Sequence, residues 1–178
     1  MTSIMKINDI LRAQHVKRFH IVHTLKHQSI AEHSFNVAMI AGLISERMEF
    51  DKKVTEQVTL AALFHDMDEV ITGDIPTPTK IRAKAQGVDL NDNGILVPHQ
   101  NKGSLINRIV KVADYIEAIT FLDINGIGMH ACSVEADIAE KMEEYVNHEN
   151  RFSQGQKEII NDVRWEITSG GFLVDSRE

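Results

Sequence analysis

Cysteine is nearly absent from this chain: Cys132 is the only one among 178 residues. No internal disulfide can form, and no thiolate cluster is available for structural zinc. A reducing compartment, the cytoplasm, is the expected setting, and any metal must be held by imidazoles and carboxylates. Basic residues are outnumbered 19 to 26, a formal net charge of −7, so no general field favours nucleic acid or anionic lipid. An anionic ligand would have to be held by local groups or by a metal. Long apolar runs are missing as well. The uncharged stretch over residues 36–45 is about half a spanning helix, and Lys6, Asp9 and Arg12 interrupt the N-terminus, so neither a membrane span nor an export segment is read.

What is present is the profile of an ordinary globular chain, 43% apolar and 25% charged, long enough to bury roughly 70% of the surface its unfolded state exposes. One domain over residues 1–178 is expected. Apolar residues recur at helical spacing and strand-like alternation is scarce, which predicts an all-α, compact single-domain helical bundle. A short helix is expected over residues 3–13, then a polar, His-rich stretch over residues 14–28. Ser29 and Glu32 form a capping box opening a helix that carries Phe35, Val37, Met39, Ile40, Leu43 and Ile44. It is apolar almost all round, which predicts deep burial.

Asp51 is read as the N-cap of a third helix ending near His65 and Asp66, with a short helix from Asp68 to Ile71 after it. The two prolines within residues 72–78 predict a rigid loop there, and the polar residues 83–100 a connector. Ser104 caps a long amphipathic helix containing Asp114. A further helix follows Gly126 and Gly128, and the last ends at Gly170 and Gly171.

Four residues carry the strongest chemical pattern: His33 inside one helix, His65 and Asp66 at the end of the next, and Asp114 within the long one. Two imidazoles and two carboxylates suit a divalent ion such as zinc, manganese or cobalt, and leave it open positions for catalysis. One histidine on a helix is weak evidence, but here the context is apolar. His65 and Asp66 follow Ala61, Ala62, Leu63 and Phe64, and Asp114 lies among Val110, Val112, Ala113 and Ile116, where an unpaired charge would cost several kcal/mol. A cation would satisfy them. His23 and His27, four apart, lack the adjacent Glu of a zincin helix and are not read as ligands.

The ordered set His33, His65 and Asp66, Asp114 resembles the H…HD…D pattern of the HD-domain metal-dependent phosphohydrolases. Arg18 and Phe19, the run Ala31-Glu-His-Ser34, the run His65-Asp-Met-Asp-Glu69 and the segment from Thr72 to Lys80 resemble the deoxynucleotidase branch, and within it the short phage enzymes that split dATP into deoxyadenosine and triphosphate. The branch usually has Trp where this chain has Phe19, which alters sugar packing. The resemblance implies metal ligation by His33, His65, Asp66 and Asp114, with zinc, cobalt or manganese favoured and magnesium an option. It also implies Glu69 as the group that activates water, working beside Asp66.

Glu69 lies one helical turn beyond Asp66, so both can face one site. Arg18 and Lys80 are candidate phosphate contacts. Phe19 and Ile21, with Thr77 and Pro78, would wall sugar and base. Asp74 would hold the loop or contact substrate, and His20 would donate a proton to the leaving oxygen. The expected activity is dATP triphosphohydrolase, with a 5′-deoxynucleotidase acting on monophosphates as the alternative. The expected partner is a deoxynucleotide, neither nucleic acid nor membrane. Relatives of this kind assemble, which implies a homo-oligomer, a dimer or hexamer, with Phe172 and Leu173 as candidate contacts.

Overall fold

The computed structural model describes residues 7–88 and 103–169, and eight α-helices and one two-stranded sheet lie among them. Helix α1 (Ile7–Ile10) runs into a 3-10 turn (Leu11–Gln14), so the described part of the expected first helix is shorter and tightens at its end. The His-rich stretch then forms strand β1 (Lys17–Arg18), which pairs antiparallel with β2 (Gln28–Ser29) and sets Arg18 opposite Gln28. Two residues per strand are too few for an alternation to be visible in sequence.

Helix α2 (Ile30–Arg47) begins at the predicted capping box: the Ser29 hydroxyl accepts from the Glu32 amide, and Glu32 Oε2 accepts from the Ser29 amide at 2.8 Å. The expectation of deep burial all round is corrected. Val37, Ala38, Ala41 and Ile44 face the core, whereas Phe35 and Met39 are about 60% exposed (59% and 60%). Residues four apart share a helix face, and no element among the described residues covers this one.

Helix α3 (Lys52–Leu63) is capped by Asp51 as predicted but stops two residues before His65. Helix α4 (Glu69–Thr72) follows one residue later than expected. The loop expected over residues 72–78 is corrected to a shorter one. Thr72 closes α4, and Thr77 and Pro78 open α5 (Thr77–Ala85), because a proline in the first turn forfeits an amide that has no helical partner there. Ala83 to Ala85 therefore belong to a helix rather than to the connector, most of which, residues 89–100, lies outside the described residues.

Ser104 caps α6 (Leu105–Asn125), whose turns bury Ile109, Val112, Ala113, Ile116 and Ile119. Helix α7 (Gly128–Asn147) starts at Gly128 itself, and α8 (Gln154–Thr168) has a second capping box at Ser153 and Gln156. The predicted stop at Gly170 and Gly171, and Phe172 and Leu173, lie outside the described residues.

The main core is built where α2, α3 and α6 meet, closed by Met142 and Val146 of α7 and Ile160 and Val163 of α8. Each fully buried large aliphatic contributes roughly 1.5–3 kcal/mol. A smaller core of Ala13, Ile30, Met67 and Val70 ties the N-terminal segment to α4. Gly126 lets the chain turn tightly from α6 into α7, since a Cβ there would lie 2.5 Å from the Leu122 carbonyl oxygen and 2.9 Å from the Ala131 Cβ; the segment around Thr24 docks on this corner, Thr24 bridging to Gly126 and the Leu25 amide donating to the Asn125 carbonyl.

Candidate metal and phosphohydrolase site

Three elements converge on one point. The α2 capping box fixes the helix start one turn before His33, the turn after α3 presents His65 and Asp66, and the middle of α6 presents Asp114. His33 Nε2 lies 3.3 Å from His65 Nε2, 3.4 Å from Asp66 Oδ2 and 3.3 Å from Asp114 Oδ1. His65 Nε2 lies 3.2 Å from Asp66 Oδ2 and 4.0 Å from Asp114 Oδ1. Donor atoms sharing a tetrahedral cation at roughly 2.0–2.2 Å are themselves roughly 3.3–3.6 Å apart. His33, His65 and Asp66 therefore have both the chemistry and the spacing to hold a metal, and Asp114 Oδ1 borders the same point.

The electrostatics agree with a cation's place. Burial pushes the Asp66 carboxyl up, but His65 and His33 outweigh it and hold it well below the usual carboxylate range. Asp114 is likewise held well below, with Lys111, 2.8 Å from its Oδ2, and the two imidazoles overcoming burial. Burial and Arg18 push the His33 imidazole down, while Asp114, Asp66 and Glu117 bring it up to about 10. So many carboxylates around one imidazole demand positive charge.

Glu69, the first residue of α4, is buried beside this group. Burial first, then the charges of Asp66 and Asp74, push its carboxyl up to about 7 against the pull of Lys80. Its Oε1 accepts from Lys80 Nζ at 3.1 Å, while its buried Oε2 has no hydrogen-bond partner among the described residues. A carboxylate with one anchored and one unclaimed oxygen is arranged to take a proton from a small ligand such as water.

Arg18 is drawn into the site more deeply than the sequence suggested: Nη2 lies 3.6 Å from Asp114 Oδ1 and Nη1 lies 3.5 Å from Glu117 Oε2. Phe19 has a left-handed backbone, φ 53°, costly for a bulky side chain, and stacks on Phe121 with ring centres 5.6 Å apart. His20 Nδ1 lies 3.7 Å from Asp74 Oδ2, joining the β1–β2 connection to the loop before α5. Ile21, Thr77 and Pro78 are exposed residues on two separate segments.

Four partners were missed in the sequence: Glu117, Lys111, Asn36 and Gln28. Glu117 is 4% exposed, with Oε2 2.6 Å from His33 Nδ1. The signal was available, since Glu117 follows Asp114 by one turn within the same apolar run, the context that singled out Asp114.

An all-α bundle that gathers two imidazoles and two carboxylates beside an unclaimed carboxylate oxygen has the build of a metal-dependent hydrolase. Comparison with known proteins narrows this. Residues 7–87 match the family described as 5′-deoxynucleotidase YfbR-like. The chain is 35% identical to a dATP triphosphohydrolase of Salmonella phage PMBT28, over 80% of this chain and 79% of that protein. It is 31% identical to a dATP triphosphohydrolase of cyanophage S-2L, over 74% and 78%. The cyanophage S-2L HD phosphohydrolase (DatZ), solved bound to dA and one catalytic Zn2+ ion, superposes with a TM-score of 0.75 at 26% identity, covering 93% of this chain and 98% of that one. The chain belongs to the YfbR-like family of HD phosphohydrolases.

Proposed function

We propose that this protein, acting as one HD domain, is a dATP triphosphohydrolase that releases deoxyadenosine and triphosphate. The observation that carries the reading is the metal-spaced cluster of His33, His65 and Asp66 beside Glu69, in a chain similar over most of its length to dATP triphosphohydrolases. His33, His65, Asp66 and Asp114 would hold a divalent ion, with zinc favoured by the imidazole-rich donor set, cobalt or manganese compatible with it, and magnesium least suited. When bound, such an ion polarises a phosphoryl oxygen and acidifies water.

Glu69, through its unclaimed Oε2, takes a proton from water attacking the α-phosphorus. The bond to the 5′ oxygen breaks, and His20, oriented by Asp74, returns a proton to that oxygen. Arg18 and Lys80 bind phosphate oxygens, Arg18 held in place by Asp114 and Glu117 and Lys80 by Glu69. Phe19 packs on the sugar, while Ile21, Thr77 and Pro78 border the base. A 2-amino purine would clash with the Ile21 and Pro78 wall and leave its amine unpaired, which favours adenine.

A second reading, a 5′-deoxynucleotidase acting on monophosphates, is supported by the description of the matching family. Assembly into a homo-oligomer, a dimer or hexamer, is supported by the uncovered Phe35 and Met39 face and by exposed Leu60 on the adjoining α3. Action on the free nucleotide pool of the cytoplasm is supported by the net charge of −7 and by the fact that no described helix is long and apolar enough to cross a membrane.

The test is product chromatography after incubating the metal-stripped chain with dATP, dAMP, dGTP, ATP or 2-amino-dATP, with and without zinc, cobalt, manganese or magnesium. Metal-dependent triphosphate from dATP, with the 2-amino analogue spared, is the expected result. Turnover of monophosphates alone would establish the second reading, and no turnover with any metal would end both.

A further inference from the structure

Glu117 is enclosed by four donors on three other elements. Its Oε2 faces His33 Nδ1 at 2.6 Å and Arg18 Nη1 at 3.5 Å, and its Oε1 accepts from Gln28 Nε2 and, at 3.1 Å, from Asn36 Nδ2. A carboxylate has about four lone-pair positions, so this one is saturated. The two-residue sheet supplies two of the donors, because its register sets Arg18 opposite Gln28. Arg18 Nη1 also lies against His33 Nδ1. An ionised carboxylate oxygen can only accept, so the 2.6 Å contact to Glu117 Oε2 requires the His33 proton on Nδ1. That leaves the Nε2 lone pair facing His65, Asp66 and Asp114.

We infer that Glu117 is a positioning residue that fixes the Nδ1–H tautomer and ring orientation of His33 for metal binding through Nε2, and at the same time anchors the Arg18 guanidinium. The inference rests on His33 being a metal ligand, as proposed above. The opposite tautomer, with Arg18 donating to Nδ1 and the proton on Nε2, would place an N–H where the cation belongs. A buried carboxylate that merely fills space has no need of a 2.6 Å contact to the ring nitrogen turned away from the site.

The test measures zinc binding by the full chain in competition with a chromophoric chelator. Glu117→Gln, nearly isosteric but uncharged and with half the acceptor capacity, is expected to bind zinc roughly 10–100-fold more weakly. Zinc affinity within twofold of the parent would overturn the inference. Nitrogen-15 NMR of the unaltered zinc-loaded protein tests it even if the variant fails to fold. His33 should show a zinc-bound Nε2 and a protonated Nδ1; ligation through Nδ1, or an Nδ1 without its proton, would overturn it. Absence of any zinc uptake by the parent chain would fell the metal reading itself, and this inference with it.

Discussion

At the scale of single residues, Glu69 has the most exposed consequence. Its carboxyl is raised to about 7 by burial and by Asp66 and Asp74, and one oxygen is unclaimed. A proton acceptor must be ionised to work, so kcat/KM should fall as pH drops through the pKa of this group. A divalent ion beside Asp66 pulls that pKa down, which sets the acid limb at or below about 7. Asp74→Asn removes one of the charges that raise it and should move the limb to lower pH; a limb that stays put or rises would rule Glu69 out as its source. Glu69→Gln keeps the shape and the Lys80 contact but cannot take a proton, so kcat should fall by roughly 10²–10⁴-fold while zinc uptake is retained. His65, Asp66 and Asp114 were singled out in the sequence because ionisable residues follow or interrupt apolar runs there, and His33 through the ordered pattern it completes with them. Glu117 obeys the same rule yet was missed, because only the fold shows that it meets the Nδ1 of His33.

At the scale of elements, the caps connect local sequence to the site. Ser29 precedes His33 by four residues, so the geometry that starts α2 also sets the direction of the first imidazole. Ser29→Ala removes the acceptor for the Glu32 amide and one donor to Glu32 Oε2 and should cost about 1 kcal/mol in urea unfolding at pH 7. The Ser29 amide and hydroxyl hold the Glu32 carboxyl below its ordinary value. Stability from a depressed carboxyl is present above its unfolded pKa and is lost as pH falls through the folded one. The gap between parent and variant should therefore narrow in acid; a gap that is constant with pH would mean the carboxylate takes no part. Ser29, Asp51 and Ser104 were all legible because a cap is decided by three or four consecutive residues. Thr77 and Pro78 were misjudged because proline marks both loops and first helical turns, and Phe35 and Met39 because an apolar residue does not state whether anything packs on it.

At the scale of the whole molecule, the cluster is a junction. His33 belongs to α2, His65 and Asp66 to the turn joining α3 and α4, and Asp114 to α6, and these are the elements whose packing makes the main core. Without a cation, Asp66, Asp114 and Glu117 are balanced among the described residues by Arg18, Lys111 and the His33 and His65 imidazoles. A bound ion replaces that arrangement with direct bonds to three segments, and because the unfolded chain offers no such cage it stabilises the native state by mass action. At free metal about 1,000-fold above Kd the gain is about 4 kcal/mol, and in a chain of this length each kcal/mol shifts Tm by roughly 2–4 °C. Calorimetry of the zinc-loaded chain against the chelator-treated chain should therefore show a difference on the order of 10 °C. His65→Ala removes a donor without entering the core and should erase most of that difference while leaving the metal-free transition nearly in place. Equal transitions with and without zinc in the parent chain would mean that the three segments are held by packing alone and that the cluster does not serve as a metal junction.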